Sequence, residues 1–278
     1  MSNWKRTLVR TPFIGQVALI LYRTGLALSY YRTPLFNLIK WLFHSNEHTN
    51  LTYSLEHNNK RYLASLIAQL VDSDYETILG YMDEAEQDTD LERHIKDTTA
   101  ASPFSSTADQ EVRFGRRLGW YAFVRVMKPK IVIETGVDKG LGACLISAAL
   151  MRNKDDGYEG RYFGTDINPN AGYLLSGKYA EHGQILYGDS VETLRLFNSN
   201  VDLFINDSDH SADYEEQEYE TIAPKLSERA IVLGDNSRVT DKLLNFSLQR
   251  GRRFIFFAEQ PLDHWYPGGG IGISVPPR

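Results

Sequence analysis

Two stretches of the 278-residue chain place acids, an amide and an imidazole where they could act together. One is Asp207-Ser208-Asp209-His210 and the other is Asp235-Asn236. Each closes a short apolar run, so both belong at the tips of strands. If the strands are parallel neighbours, Asp207, Asp235 and Asn236 meet at one sheet edge. That is a hard, oxygen-rich donor set of the kind that holds Mg²⁺ or a similar divalent metal ion. His210 follows Asp207 by three residues and can face the same cavity. An imidazole is the natural side chain to take a proton near neutral pH. The plainer alternative has Asp209 capping the next helix and His210 in solvent. Its weakness is the coincidence with Asp235-Asn236.

A second constellation can hold a ligand. The segment Glu134-Thr135-Gly136-Val137-Asp138-Lys139-Gly140 follows an apolar run, and its glycines let backbone approach a ligand closely. The spacing is Gly-x-x-x-Gly, with Asp138 where a dinucleotide binder has its middle glycine. Acids at 134 and 138 repel a pyrophosphate and tolerate a cation. A purely structural turn explains the glycines equally well. Asp166 ends the next run, where a carboxylate commonly accepts bonds from ribose hydroxyls. Pro169 just beyond it also suits a helix N-cap. Gly188-Asp189-Ser190 ends a third run, and Asp189 either faces an adenine or caps a helix at Val191.

These residues need an α/β scaffold. Strand patterns at 131–134, 160–166, 184–188, 201–207, 230–235, 253–258 and 270–275 alternate with helical ones at 141–151, 171–181, 191–197, 214–225 and 241–250. That alternation specifies a doubly wound, Rossmann-like sheet of seven mostly parallel strands. The last two strands are joined only by 259–269, with Pro261, Pro267 and two glycines, so their pairing is antiparallel. Upstream lie a helix at 111–127, a Ser/Thr-rich loop at 97–109 and polar amphipathic helix over 51–98. Domains are therefore expected at 1–46 (a basic, apolar helical segment), 47–110 (helical extension and loop) and 111–278 (the ligand-binding domain).

Charge separates the first segment from the rest. Residues 1–46 hold Lys5, Arg6, Arg10, Arg23, Arg32 and Lys40 and no acid, which leaves the remainder 24 basic against 36 acidic residues. A body at −12 is a poor nucleic-acid binder. The basic, aromatic-rich segment suits peripheral contact with a membrane surface. A helical hairpin packed on the domain, or on a second copy in a homo-oligomer, fits it equally well. The single cysteine, Cys144, excludes an internal disulfide and places the protein in a reducing, cytoplasmic setting, at the inner face of a membrane if the segment binds one.

Together the motifs resemble the class I S-adenosylmethionine-dependent methyltransferases, and within them the metal-dependent O-methyltransferases, over about 128–275. Glu134 to Gly140 is similar to the first motif, which passes beneath the methionine part of the cofactor. Asp166 matches the ribose-binding acid, and Gly188-Asp189-Ser190 the segment around adenine. Asp207-x-x-His210 resembles the element of macrocin-type sugar O-methyltransferases in which the aspartate binds metal and lies beside the cofactor, with the histidine as base. Catechol-type enzymes carry lysine in place of that histidine, and Asp235-Asn236 matches their remaining metal ligands. The resemblance implies S-adenosylmethionine and Mg²⁺ as cofactors and a small-molecule or sugar hydroxyl as acceptor. Two other readings remain: a nucleotide-dependent oxidoreductase or epimerase, and a non-catalytic scaffold on the same fold.

Overall fold

The computed structural model describes residues 12–48, 51–109 and 111–277. They fall into two compact units, one built from the chain up to Ser45 with Asp263–Tyr266, the other from Asn46–Leu262 and Pro267 onward. The second unit thus includes 47–110 together with the sheet.

In the first unit, helix α1 (Pro12–His44) runs unbroken for 33 residues, with Pro34 inside it. One continuous helix thus stands where the sequence offered a helical hairpin as one of two readings. A proline removes one donor from the helical ladder, which a long helix tolerates at a local cost. Apolar side chains stay exposed around its circumference, from Leu21 and Tyr22 to Phe36 and Phe43. Trp41 packs edge-on against Trp265 of the same unit, ring centres 5.2 Å apart. Lys5, Arg6 and Arg10 lie outside the described residues. No helix among the described residues is long and apolar enough to cross a membrane.

The second unit carries the sheet. Its strands are β1 (Ile131–Thr135), β2 (Arg161–Asp166), β3 (Gly183–Tyr187), β4 (Val201–Asn206), β5 (Leu226–Asp235), β6 (Arg253–Phe257) and β7 (Ile271–Val275). Their order is β3-β2-β1-β4-β5-β7-β6. The first five are parallel, and β7 inserts antiparallel between β5 and β6. Central strands are buried on both faces, as apolar runs without alternation require. Val132, Leu203, Phe204, Ile205, Val232 and Leu233 have no exposed surface.

The helices of this unit are α2 (His57–Leu70), α3 (Tyr75–Glu86), α4 (Thr89–Ala101), α5 (Arg117–Met127), α6 (Leu141–Asp155), α7 (Ser190–Leu196), α8 (Ala212–Ile222) and α9 (Lys242–Gln249). The long helix expected over 51–98 is three shorter ones. Asp74 and Asp88 start new helices by accepting bonds from backbone N–H groups of their first turns. The helix expected at 171–181 is instead a turn and a short 3-10 segment at Gly177–His182. Gly172 and Gly177 adopt positive φ there, which ends helical propagation.

Candidate active site

The sheet's carboxyl edge lies where β1 and β4 diverge to β2 and β5, the position at which α/β sheets open a ligand crevice. Gly136 forms its floor. Its φ is +79°, and a β-carbon there would sit 1.9 Å from the Asp207 carbonyl oxygen. Glycine is thus imposed by backbone meeting backbone. Gly140 (φ +92°) starts α6, and a β-carbon on it would come within 2.9 Å of the Gly172 α-carbon.

Beside this floor is a cavity of about 580 Å³, lined by Gly136, Asp166, Asp189, Ser190, Asp207 and His210 among others. That volume lies within the roughly 300–1,000 Å³ typical of small-molecule sites. Asp166 holds the glycine turn: one oxygen accepts from the N–H groups of Val137 and Asp138 at 3.0 Å, the other from Asn168 at 2.8 Å. Asp189 lines the cavity and also caps α7 by accepting from Glu192 N–H at 2.9 Å. Tyr214 Oη donates to Asp189 Oδ2 at 2.9 Å. A second cavity that also touches Gly136 is lined by Arg113, Arg117, Lys139 and Asp207 among others.

Two expected cofactor contacts are engaged by protein partners. Glu134 turns into the interior, where Tyr162 Oη donates to it and its carboxylate crowds Gly142. It lines neither cavity. Burial, above all, pushes its carboxyl up to about 7. Ser190 reaches the cavity wall, but its hydroxyl is committed to the buried Glu218. Asn206 Nδ2 and Ser208 Oγ also donate to Glu218, which locks the end of β4 to the start of α7.

At the chemical end, Asp207, His210 and Asp235 offer ligand atoms that all lie within 4.8 Å of one another. His210 Nε2 is 3.8 Å from Asp207 Oδ1 and accepts from Asn236 Nδ2 at 2.9 Å. Its Nδ1 lies 3.8 Å from Glu215 Oε1, too far for a hydrogen bond but close enough for attraction to an imidazolium. The Glu215 carboxylate, first among the causes, raises His210 above an ordinary histidine. Asp209 accepts only from Ser211 N–H, at the threshold of α8. Burial, and then Asp235, push Asp207 well above the usual carboxylate range. Burial works against ionised Asp235 as well, yet Arg116 holds it below that range.

Arg116 and its neighbours carry no signal in the motif reading. Its Nε and Nη2 donate to the two oxygens of Asp235, and Nη1 donates to Tyr53 Oη at 2.9 Å. Tyr53 in turn donates to the buried Glu259. Arg117 Nη2 lies 3.7 Å from Asp207 Oδ2, and its Nε is buried without a hydrogen-bond partner. The available clue was adjacent arginines opening a helix whose next eight residues, Leu118 to Arg125, are all buried. A charge placed there needs a partner in the interior.

A glycine floor, a sheet-edge acid and a nearby imidazole thus meet at the carboxyl edge of a Rossmann-like sheet. Residues 133–237 match the family model described as a methyltransferase domain, so the chain carries such a domain over that span. It has the class I fold. A putative caffeoyl-CoA O-methyltransferase from Staphylococcus aureus superposes with TM-score 0.51 at 16% identity, covering 79% of this chain and all of that one. The methyltransferase PaMTH1 from Podospora anserina, solved with S-adenosylhomocysteine bound, gives TM-score 0.50 at 16% identity, covering 70% of this chain and 93% of that one. No curated protein matches the chain.

Proposed function

We propose that the chain is an S-adenosylmethionine-dependent O-methyltransferase that methylates a hydroxyl of a small-molecule or sugar acceptor, with His210 as the base. One observation carries the reading: His210 Nε2 faces Asp207 and Asn236 at the mouth of the cleft floored by Gly136. The cofactor would lie with its ribose toward Asp166, its adenine toward Asp189 and its methionine end across Gly136. The Asp-x-x-His spacing favours a sugar hydroxyl, and the basic helix α1 favours work at the cytoplasmic face of a membrane.

S-adenosylmethionine supplies a methyl group on a sulfonium, an electrophile already activated. The remaining task is to align the acceptor oxygen and remove its proton. Alignment in a closed cleft replaces a bimolecular encounter with an in-line attack. As the new O–C bond forms and the S–C bond breaks, the acceptor hydroxyl takes the place of the Asn236 amide at His210 Nε2 and its proton passes to that nitrogen. Glu215, steadied by a bond from Thr240 Oγ1, faces the opposite ring nitrogen and stabilises the imidazolium. S-adenosylhomocysteine leaves neutral. The expected divalent ion fits this arrangement poorly, since Arg116 engages both oxygens of Asp235 and Asn236 turns its Nδ2 toward His210. No step requires one.

Calorimetry with S-adenosylhomocysteine tests the first half of this reading, and a panel of sugar and phenolic acceptors the second. His210→Ala is expected to bind S-adenosylhomocysteine like wild type and to lose roughly 10²–10⁴-fold in turnover. An unchanged rate would remove His210 as base, and no binding to wild type would remove the enzyme class.

A further inference from the structure

We infer that the Arg116 guanidinium is the resident cation of this site, filling the role of a divalent ion, so that the site works without added metal. The inference rests on the proposed methyl transfer and deepens it.

The geometry is that of a built ion pair. Arg116 stands in the turn before α5 with its side chain 7% exposed, against an Asp235 side chain that is fully buried. Two parallel N–H groups meet the two carboxylate oxygens of Asp235, an arrangement only a planar guanidinium makes. The remaining terminal nitrogen is tied to Tyr53, and Glu259 Oε1 lies 3.8 Å from Nε. The cation is therefore held from three sides by elements distant in sequence, which fixes it as firmly as a coordination shell.

An incoming divalent ion would need an oxygen of Asp235 at roughly 2.0–2.6 Å. That places it against Arg116, while Arg117 stands 3.7 Å from Asp207, the other carboxylate. Three positive groups would then crowd Asp207 and Asp235, with Glu259 the further acid beside Arg116. The third expected ligand presents a donor: Asn236 Nδ2 points at His210, and its oxygen lies against the backbone of Gly269, where a β-carbon would be 1.7 Å away. The donor set that looked hard and anionic in the sequence is one carboxylate paired with guanidinium, one carboxylate beside a second arginine, and an amide N–H.

Arg116 is thus a positioning residue. By fixing Asp235 it fixes Asn236, the next residue, and so the imidazole that Asn236 holds.

The test uses the full-length protein stripped with EDTA and titrated with Mn²⁺ by electron paramagnetic resonance. Wild type is expected to show no Mn²⁺ site up to about 1 mM, the weak end of protein divalent-ion affinities. Removing Arg116 alone strands a buried carboxylate and risks unfolding, so the variant is Arg116→Met with Glu259→Gln. It removes one charge of each sign and frees Asp235. This double variant is expected to gain a Mn²⁺ site that Asp235→Asn abolishes. A Mn²⁺ site in wild type, lost in Asp207→Asn or Asp235→Asn, overturns the inference, and it does so whether or not the variant folds. Binding of S-adenosylhomocysteine by the same sample reports separately on the proposed function.

Discussion

At the scale of single residues, the site is a set of charges whose partners decide what each can do. Glu134 illustrates this. Its carboxyl, ordinarily near 4.5, is raised to about 7 by burial. A raised acid contributes stability that is fully present below 4.5 and lost as pH climbs through 7, because the folded state must then hold a buried charge. Glu134→Gln keeps an oxygen for Tyr162 and has no charge to bury. Relative to wild type it should gain about 3 kcal/mol between pH 4.5 and pH 8, read from urea denaturation of the ligand-free protein at the two pH values. A constant difference would mean that Glu134 titrates like an exposed acid. The candidate site was largely legible as residue types: Asp207, His210 and Asp235 do converge. Arg116 was not, because it pairs with a residue 119 positions away and no local pattern encodes such a meeting. Nor was the inward turn of Glu134, which depends on Tyr162 in the adjacent strand.

At the scale of elements, the glycine turn and the tip of β4 are mutually dependent. Gly136→Ala combines a left-handed φ with a β-carbon inside contact distance of the Asp207 carbonyl. It should cost upwards of roughly 2 kcal/mol and abolish S-adenosylhomocysteine binding. Denaturation and calorimetry measure the two effects, and retention of both stability and affinity would contradict the described turn. Strands were easy to read because buried parallel strands leave continuous apolar runs, such as Ile131–Ile133 and Val232–Leu233. Helices near the cleft were harder. The segment expected at 171–181 has apolar residues at helical spacing, but Gly172 and Gly177 redirect the backbone. The helix expected to begin at 111 begins at Arg117, after Gly115 with positive φ.

At the scale of the whole molecule, charge and apolar surface are partitioned along the chain. Helix α1 is apolar around its circumference and carries Arg23, Arg32 and Lys40 with no acid. A helix apolar on every side is normally buried in protein or lipid. Full-length protein should float with vesicles containing anionic lipid, and a chain lacking residues 1–46 should not. Equal flotation would leave the helix to protein contacts, in which case sedimentation of the two forms should differ in mass. One further property follows from the seat of Gly136. It rests on the peptide carbonyl at position 207, and every residue type supplies a carbonyl. The side chain at 209 is free of that duty, so it can change, and with it what the loop offers to an acceptor, while the glycine turn keeps its shape.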